Sequence, residues 1–218
     1  MLTTVCSSSF KSIPSCALVA ASLLLGGCGG GTMFALKDAN HTIKPTSVSV
    51  ITGGSEESDL KLAEYLTQEL KERTSLQVLD QSDVSKAIPS YPISIKAVEE
   101  QDGAVAWVDP SEKPKIEKIQ AKLKTNYVFV IWSKGLTKST ACSNQGGCTN
   151  TYSTNVYGNM LEYPAGTIVS HTAFRRRNSD SVMALFRPKG YYVDELLKES
   201  AEDIVDEFIK VTNTGKRK

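Results

Sequence analysis

The run Tyr127-Val128-Phe129-Val130-Ile131-Trp132 constrains the fold more than any other stretch of this chain. A strand with one solvated face alternates apolar and polar residues, whereas an uninterrupted run of aromatic and β-branched side chains has to be covered on both faces. The chain must therefore supply cover for two sides of a sheet. The spacing provides it. Leu60, Ala63, Leu66 and Leu70 recur at helical intervals up to Arg73, after Ser55 at an N-cap position and Glu56, Glu57 and Asp59 in the first turn. Ile116, Ile119 and Leu123 follow Pro114 on one helical face, and Val193, Leu197, Ala201, Ile204 and Phe208 stripe a long helix from Tyr191 to Val211.

Shorter strands fit between these helices. Val48-Ser49-Val50-Ile51, closed by Gly53-Gly54, and Leu76-Gln77-Val78-Leu79 read as strands, with a short helix from Asp83 to Ile88 capped by Ser82 and stopped by Pro89. Ile93, Ile95 and Ala97 alternate before the Asp102-Gly103 turn signal, so Val105 to Val108 can pair back as a hairpin. Two polar, alternating strands follow, about Thr151 to Glu162 and Thr167 to Arg176, joined through Pro164-Ala165-Gly166. The order is β-α-β-α-α-β-β-β-α. The class is α+β: a mixed β-sheet of about five strands flanked by helices, ending in a long helix.

Residues 1–27 do not belong to this pattern. Lys11 is the one charged residue before Lys37, and Ala17-Leu18-Val19-Ala20-Ala21-Ser22-Leu23-Leu24-Leu25 is too short to cross a hydrocarbon core of ~30 Å. A positive flank, a short apolar core and then small residues make a secretory signal peptide. Here those small residues are Gly26-Gly27, and Cys28 comes next. Leu25-Gly26-Gly27-Cys28 resembles the lipobox of bacterial lipoproteins. The resemblance implies removal of residues 1–27, a diacylglyceryl group on Cys28 and lipid anchoring facing the periplasm. Gly29, where aspartate would retain an enteric lipoprotein, implies the outer membrane by the same resemblance. The expected layout is signal peptide 1–27, lipidated cysteine and tether 28–45, and one globular domain 46–213. No later stretch is apolar for long enough to span a bilayer as a helix.

Cysteine usage agrees with export. Once residues 1–27 are removed, Cys28, Cys142 and Cys148 remain. Lipid on Cys28 accounts for the odd one. Cys142 and Cys148 bracket the polar turn Ser143-Asn144-Gln145-Gly146-Gly147, which suits a disulfide in an oxidising compartment. A metal site is the rival reading, and two cysteines without a nearby histidine make a poor zinc site.

Charge narrows the partners. Leaving out Lys11 takes Lys plus Arg from 25 to 24, against 24 Asp plus Glu, which gives no electrostatic reason to expect nucleic acid. Arg175-Arg176-Arg177, with Arg187 and Lys189 nearby, is the notable cluster. It reads either as contact with an anionic partner or as the solvated end of a hairpin, where charge protects a sheet edge. Tyr152, Tyr157, Tyr163, Tyr191 and Tyr192 lie close to it, a composition typical of interfaces and equally of half-buried strands.

Catalytic patterns are missing from the sequence. It holds no Gly-x-Ser-x-Gly, no His-Glu-x-x-His and no phosphate loop ending in Gly-Lys-Ser/Thr. Gly53-Gly54-Ser55 faintly suggests an anion site at a helix start, but Glu56 and Glu57 would repel the anion. His41 falls in the tether, and His171 on a polar strand reads as a surface residue. No catalytic residue, metal ligand set or cofactor is nominated.

Leu60-Lys61-Leu62-Ala63-Glu64-Tyr65-Leu66-Thr67-Gln68-Glu69-Leu70, leading into Leu76-Gln77-Val78-Leu79-Asp80, together with the element order, looks like a group of envelope proteins. The group comprises the TolB amino-terminal domain, CsgG-like secretion lipoproteins and the lipoproteins that activate penicillin-binding proteins. The resemblance is one of pattern over Thr46 to Thr212. It implies a non-catalytic accessory or adaptor with an envelope protein partner or self-association. An oligomeric CsgG-like pore subunit is the alternative, and an envelope hydrolase ranks lowest. The pore reading needs alternating, lipid-facing strands. Thr167 to Arg176 alternates, but His171 and Arg175 would share one face while Ser170, Thr172 and Arg176 share the other.

Overall fold

The computed structural model describes residues 30–36, 43–100, 105–142, 148–164, 166–180 and 189–216. The chain runs β1 (Gly30–Leu36), β2 (Ser47–Thr52), α1 (Glu57–Arg73), β3 (Gln77–Val78), α2 (Gln81–Ala87), β4 (Ala97–Glu100), β5 (Val105–Val108), a 3₁₀ turn (Pro110–Glu112), α3 (Lys113–Leu123), β6 (Tyr127–Cys142), β7 (Cys148–Glu162), β8 (Gly166–Asp180) and α4 (Lys189–Thr212). From β2 onward the strands follow the order read from the sequence, and the class is α+β with a mixed sheet and a long C-terminal helix. The sheet has six strands in the order β1-β8-β7-β6-β2-β3, with β4 and β5 forming a separate pair. β2 runs parallel to β3 and β6, while β6, β7, β8 and β1 are successively antiparallel.

Both faces of the apolar run are covered, and its residues alternate between two cores. Tyr127, Phe129 and Ile131 join Leu62, Leu66 and Leu70 of α1 and Leu197, Ile204 and Phe208 of α4. Val128 and Val130 join Val84 of α2, Ile116, Ile119 and Leu123 of α3 and Val108 of β5. Phe129 meets Phe208 edge to face, with ring centroids 5.3 Å apart. Fully burying such side chains stabilises by about 1.5–3 kcal/mol each, so β6 is where the two layers are joined.

Three local expectations are corrected. Gly30–Leu36, read as part of a 28–45 tether, is an edge strand whose partners run from Gly30 opposite Arg175 to Leu36 opposite Val169. The glycines and polar residues hid a strand that the open edge of β8 selects. Helix α1 is capped at Glu56, not Ser55: Asp59, in its first turn, accepts from the Glu56 N–H at 3.1 Å. Helix α2 starts at Gln81 with Asp80 at its N-cap, ahead of the expected Ser82 cap. At the other end, the segment after α4 is fastened to the end of α1, with Ser75 N–H donating to Thr214 O and Lys216 N–H to Arg73 O.

Candidate functional site

The long strands make the feature that a compact sandwich does not need. β2 matches β6 only as far as Thr52 opposite Ile131. Beyond that level β6 and β7 continue without β2 as a ribbon, interrupted by an irregularity between Ser133 and Leu136, until Cys142 lies opposite Cys148. Those cysteines form a disulfide with Cα atoms 4.0 Å apart, so the predicted pair is brought together. β8 accompanies the ribbon to Thr149 opposite Asp180.

The ribbon is polar. Residues 137–142 of β6 are exposed. Thr137 and Ser153 share a hydroxyl hydrogen bond at 2.6 Å, and the Thr140 hydroxyl donates to Asn150 Oδ1 at 2.7 Å. Such cross-strand pairs keep the register where no apolar cover exists. Among the described residues, an aromatic stack ties the ribbon to the helical layer: Tyr152 stacks on Tyr192 of α4 with centroids 4.6 Å apart, over buried Leu196, and Lys138 lies over the Tyr152 ring. Tyr152, Tyr157 and Tyr192 are buried, so of the two readings of these tyrosines the buried one holds for them; Tyr163 is exposed.

Arg175, Arg176 and Arg177 sit in β8 opposite Thr154, Ser153 and Tyr152 of β7, and β1 brings Gly30 opposite Arg175. His171 lies opposite Gly158 and Phe34. Cys28, His41 and Arg187 lie outside the described residues.

The start of α1 is closed to anions. Gly53 and Gly54 lie where β2 ends, and the Asp59 carboxylate fills the space that an anion would need. Its two oxygens accept from the Ser133 N–H at 2.7 Å and from the Glu56 N–H. Burial raises the Asp59 pKa above its ordinary value, against the lowering effect of those two hydrogen bonds and with a further push from Glu56. A Cβ on Gly53 would stand 1.9 Å from Trp132 Nε1, so only glycine admits the indole there. That indole donates to Ile95 O at 2.9 Å.

Sequence reading missed Asn159. Fully buried in β7, it accepts from Val108 N–H at 2.6 Å and donates to Ala106 O at 2.7 Å. One amide thus substitutes for a strand partner and pins β5 against the sheet. Its apolar neighbours Met160 and Leu161 hint at burial but do not say which strand the amide holds. Also missed was the pair Tyr127–Glu162: the phenol donates to the carboxylate at 2.7 Å, and burial, then that bond, push its pKa up to about 12. Among the described residues no group of three His, Cys, Asp or Glu side chains is placed to hold a metal, and no helix is long and apolar enough to cross a membrane.

Fold and surface together define an α+β domain with a disulfide-closed polar ribbon. No family model and no curated protein matches the chain. Among solved structures, the PelC dodecamer from Paraburkholderia phytofirmans is similar at 8% identity and a TM-score of 0.42, covering 87% of this chain and 99% of that one. A minor lipoprotein from Acinetobacter baumannii is similar at 11% identity and a TM-score of 0.42, covering 79% and 98%. Likeness at this level says nothing of function.

Proposed function

We propose that the chain is an envelope lipoprotein, anchored by lipid on Cys28, whose domain serves as a non-catalytic accessory or adaptor for an envelope assembly. One observation carries this reading. Cys142 and Cys148 are joined to each other, which leaves Cys28 as the cysteine without a disulfide partner in residues 28–218. It is also the cysteine that follows the apolar leader. A diacyl anchor meets the need for two chains in stable membrane attachment. The outer membrane, facing the periplasm, is the location implied by Gly29. Envelope retention is tested by mass spectrometry of the N-terminal peptide of the mature protein. A peptide beginning at Cys28 with added fatty acids is expected; one beginning elsewhere or without acyl chains overturns the reading.

The adaptor role is supported by the ribbon, a rigidly closed polar surface beyond the core. The oligomeric pore reading has one observation in its favour: β6 and β7, at 16 and 15 residues, are long enough to cross a bilayer. Thr137, Lys138, Ser139 and Thr140, exposed and polar in succession, supply no lipid-facing stripe. A co-purifying envelope protein after crosslinking in cells supports the adaptor. Rings of detergent-extracted protein in electron micrographs replace it with the pore.

A further inference from the structure

We infer that the domain docks onto a second copy of itself, the exposed lysines of α3 meeting the exposed glutamates of α1 on the neighbouring copy. The inference goes beyond the adaptor reading and does not rest on lipid at Cys28. It starts from how charge is divided between the two faces of the sheet. β6 alternates its side chains between a core shared with α1 and α4 and a core shared with α2 and α3, so the two helical layers lie on opposite faces. The whole chain is close to neutral, with a formal net charge of +1, but its layers are not. α1 holds five Asp and Glu against three Lys and Arg, and α4, packed beside it, holds seven against three. α3 carries Lys113, Lys115, Lys118 and Lys122 against a single acid, Glu117.

The outward surfaces of α3 and α1 keep charges that the fold does not use. Glu117 is taken by Lys113 at 3.9 Å, and Lys115 by Glu112 at 3.6 Å and by Ser94 O. Lys118, Lys122 and the C-cap Lys124 are exposed and, among the described residues, meet no acid. Lys118 and Lys122 stand four residues apart, a like-charge spacing that destabilises a helix on its own, so the row is carried against a local cost. On α1, Glu64 and Glu72 are exposed and, among the described residues, meet no cation; Glu72 accepts from Gln68 at 2.8 Å. Lys118 to Lys124 spans about 9 Å of helix axis and Glu64 to Glu72 about 12 Å, so two lysines can meet two glutamates at once. The large apolar residues of α3, Ile116, Ile119 and Leu123, are all buried, which leaves this surface nothing to offer hydrocarbon. Charge complementarity therefore selects the acidic layer of another copy. The two surfaces are different and lie on opposite faces, so the contact is heterologous and continues into a ring or a filament. Exposed ion pairs hold weakly and are screened by salt, which makes the association dependent on ionic strength.

The test uses the full chain as purified from cells in non-ionic detergent, with sedimentation velocity as the readout. Association is expected in about 0.01 M salt, where screening sets in at about 30 Å, and its loss in about 1 M salt, where it sets in at about 3 Å. Lys118→Glu with Lys122→Glu, and separately Glu64→Lys with Glu72→Lys, should each weaken association about tenfold or more. All four positions are exposed, and an unchanged thermal melt shows that each variant is folded. Mixed in equal amounts, the two variants are expected to reassemble, because each reversed surface then meets its opposite. A wild-type monomer at both salt concentrations overturns the proposal. Association of either variant at wild-type strength overturns it as well, and so do two weakened variants whose mixture stays dispersed. Binding to phosphatidylglycerol vesicles that is lost with Lys118→Glu and Lys122→Glu, while self-association is unchanged, overturns it in favour of a lipid surface.

Discussion

The inner and outer halves of β6 and β7 are the same two strands under opposite chemistry. Up to Trp132 the pair is sandwiched between helices, and Phe129, Val130, Met160 and Val156 are fully buried. Past Leu136 it is a polar ribbon tied by hydroxyl pairs and closed by a disulfide. The difference teaches where stability is placed. Burial holds the inner half without covalent help. Among the described residues, the outer half relies on strand pairing, the stack of Tyr152 on Tyr192 and a cross-link.

Breaking the inner half should have the largest effect. Phe208→Ala removes a fully buried ring from the Phe129 contact and is expected to cost about 3–5 kcal/mol in urea unfolding. Asn159→Ala removes the hydrogen bonds to the Val108 N–H and the Ala106 carbonyl, and a loss of about 2–3 kcal/mol is expected. Hydrogen exchange should show β5 loosening first; uniform loss across the sheet would mean that the amide does not act as the pin. For the outer half, converting Cys142 and Cys148 to serine opens a small ring and should cost about 2 kcal/mol by loop-closure entropy. If the halves are as separate as proposed, that loss shows as faster exchange confined to the ribbon.

Two smaller effects sharpen the contrast. Asp59, at the junction between the halves, has its folded pKa raised by burial above the ordinary value of 3.8. A raised acid binds protons more tightly in the native state, so its contribution is present below pH 3.8 and is lost as pH climbs through the raised value. Asp59→Asn should flatten that part of the stability curve measured by denaturant titration from strongly acidic to neutral pH. An unchanged slope would show that the carboxylate ionises without cost. Last, Thr137→Val with Ser153→Ala removes an exposed hydroxyl pair and should change the melting free energy by less than about 0.5 kcal/mol. A loss above about 1 kcal/mol would make the ribbon part of the cooperative core.

The elements with strong periodicity were legible. The stripe of α4 and the run at Tyr127 to Trp132 each state their own burial, because their apolar spacing admits one packed arrangement. Pro114 at the start of α3 likewise announced itself. The disulfide was legible because a short polar loop separates its cysteines. Asn159 was not, since an isolated asparagine carries no sign of the strand it will hold. Nor was the pairing of Arg175 with the segment after Cys28, because the two lie near opposite ends of the sequence.

By itself the sequence determined the α+β order, the two-sided sheet and the pairing of Cys142 with Cys148. Local spacing suffices for these, because hydrophobic period, turn chemistry and residue class act over a few neighbours. Only the tertiary structure decided that Gly30–Leu36 closes the edge of β8 and that the ribbon is held to α4 by Tyr152 stacking on Tyr192. Edge pairing and register are settled by which backbone hydrogen-bond partners remain open after the core has packed, and no local pattern records that.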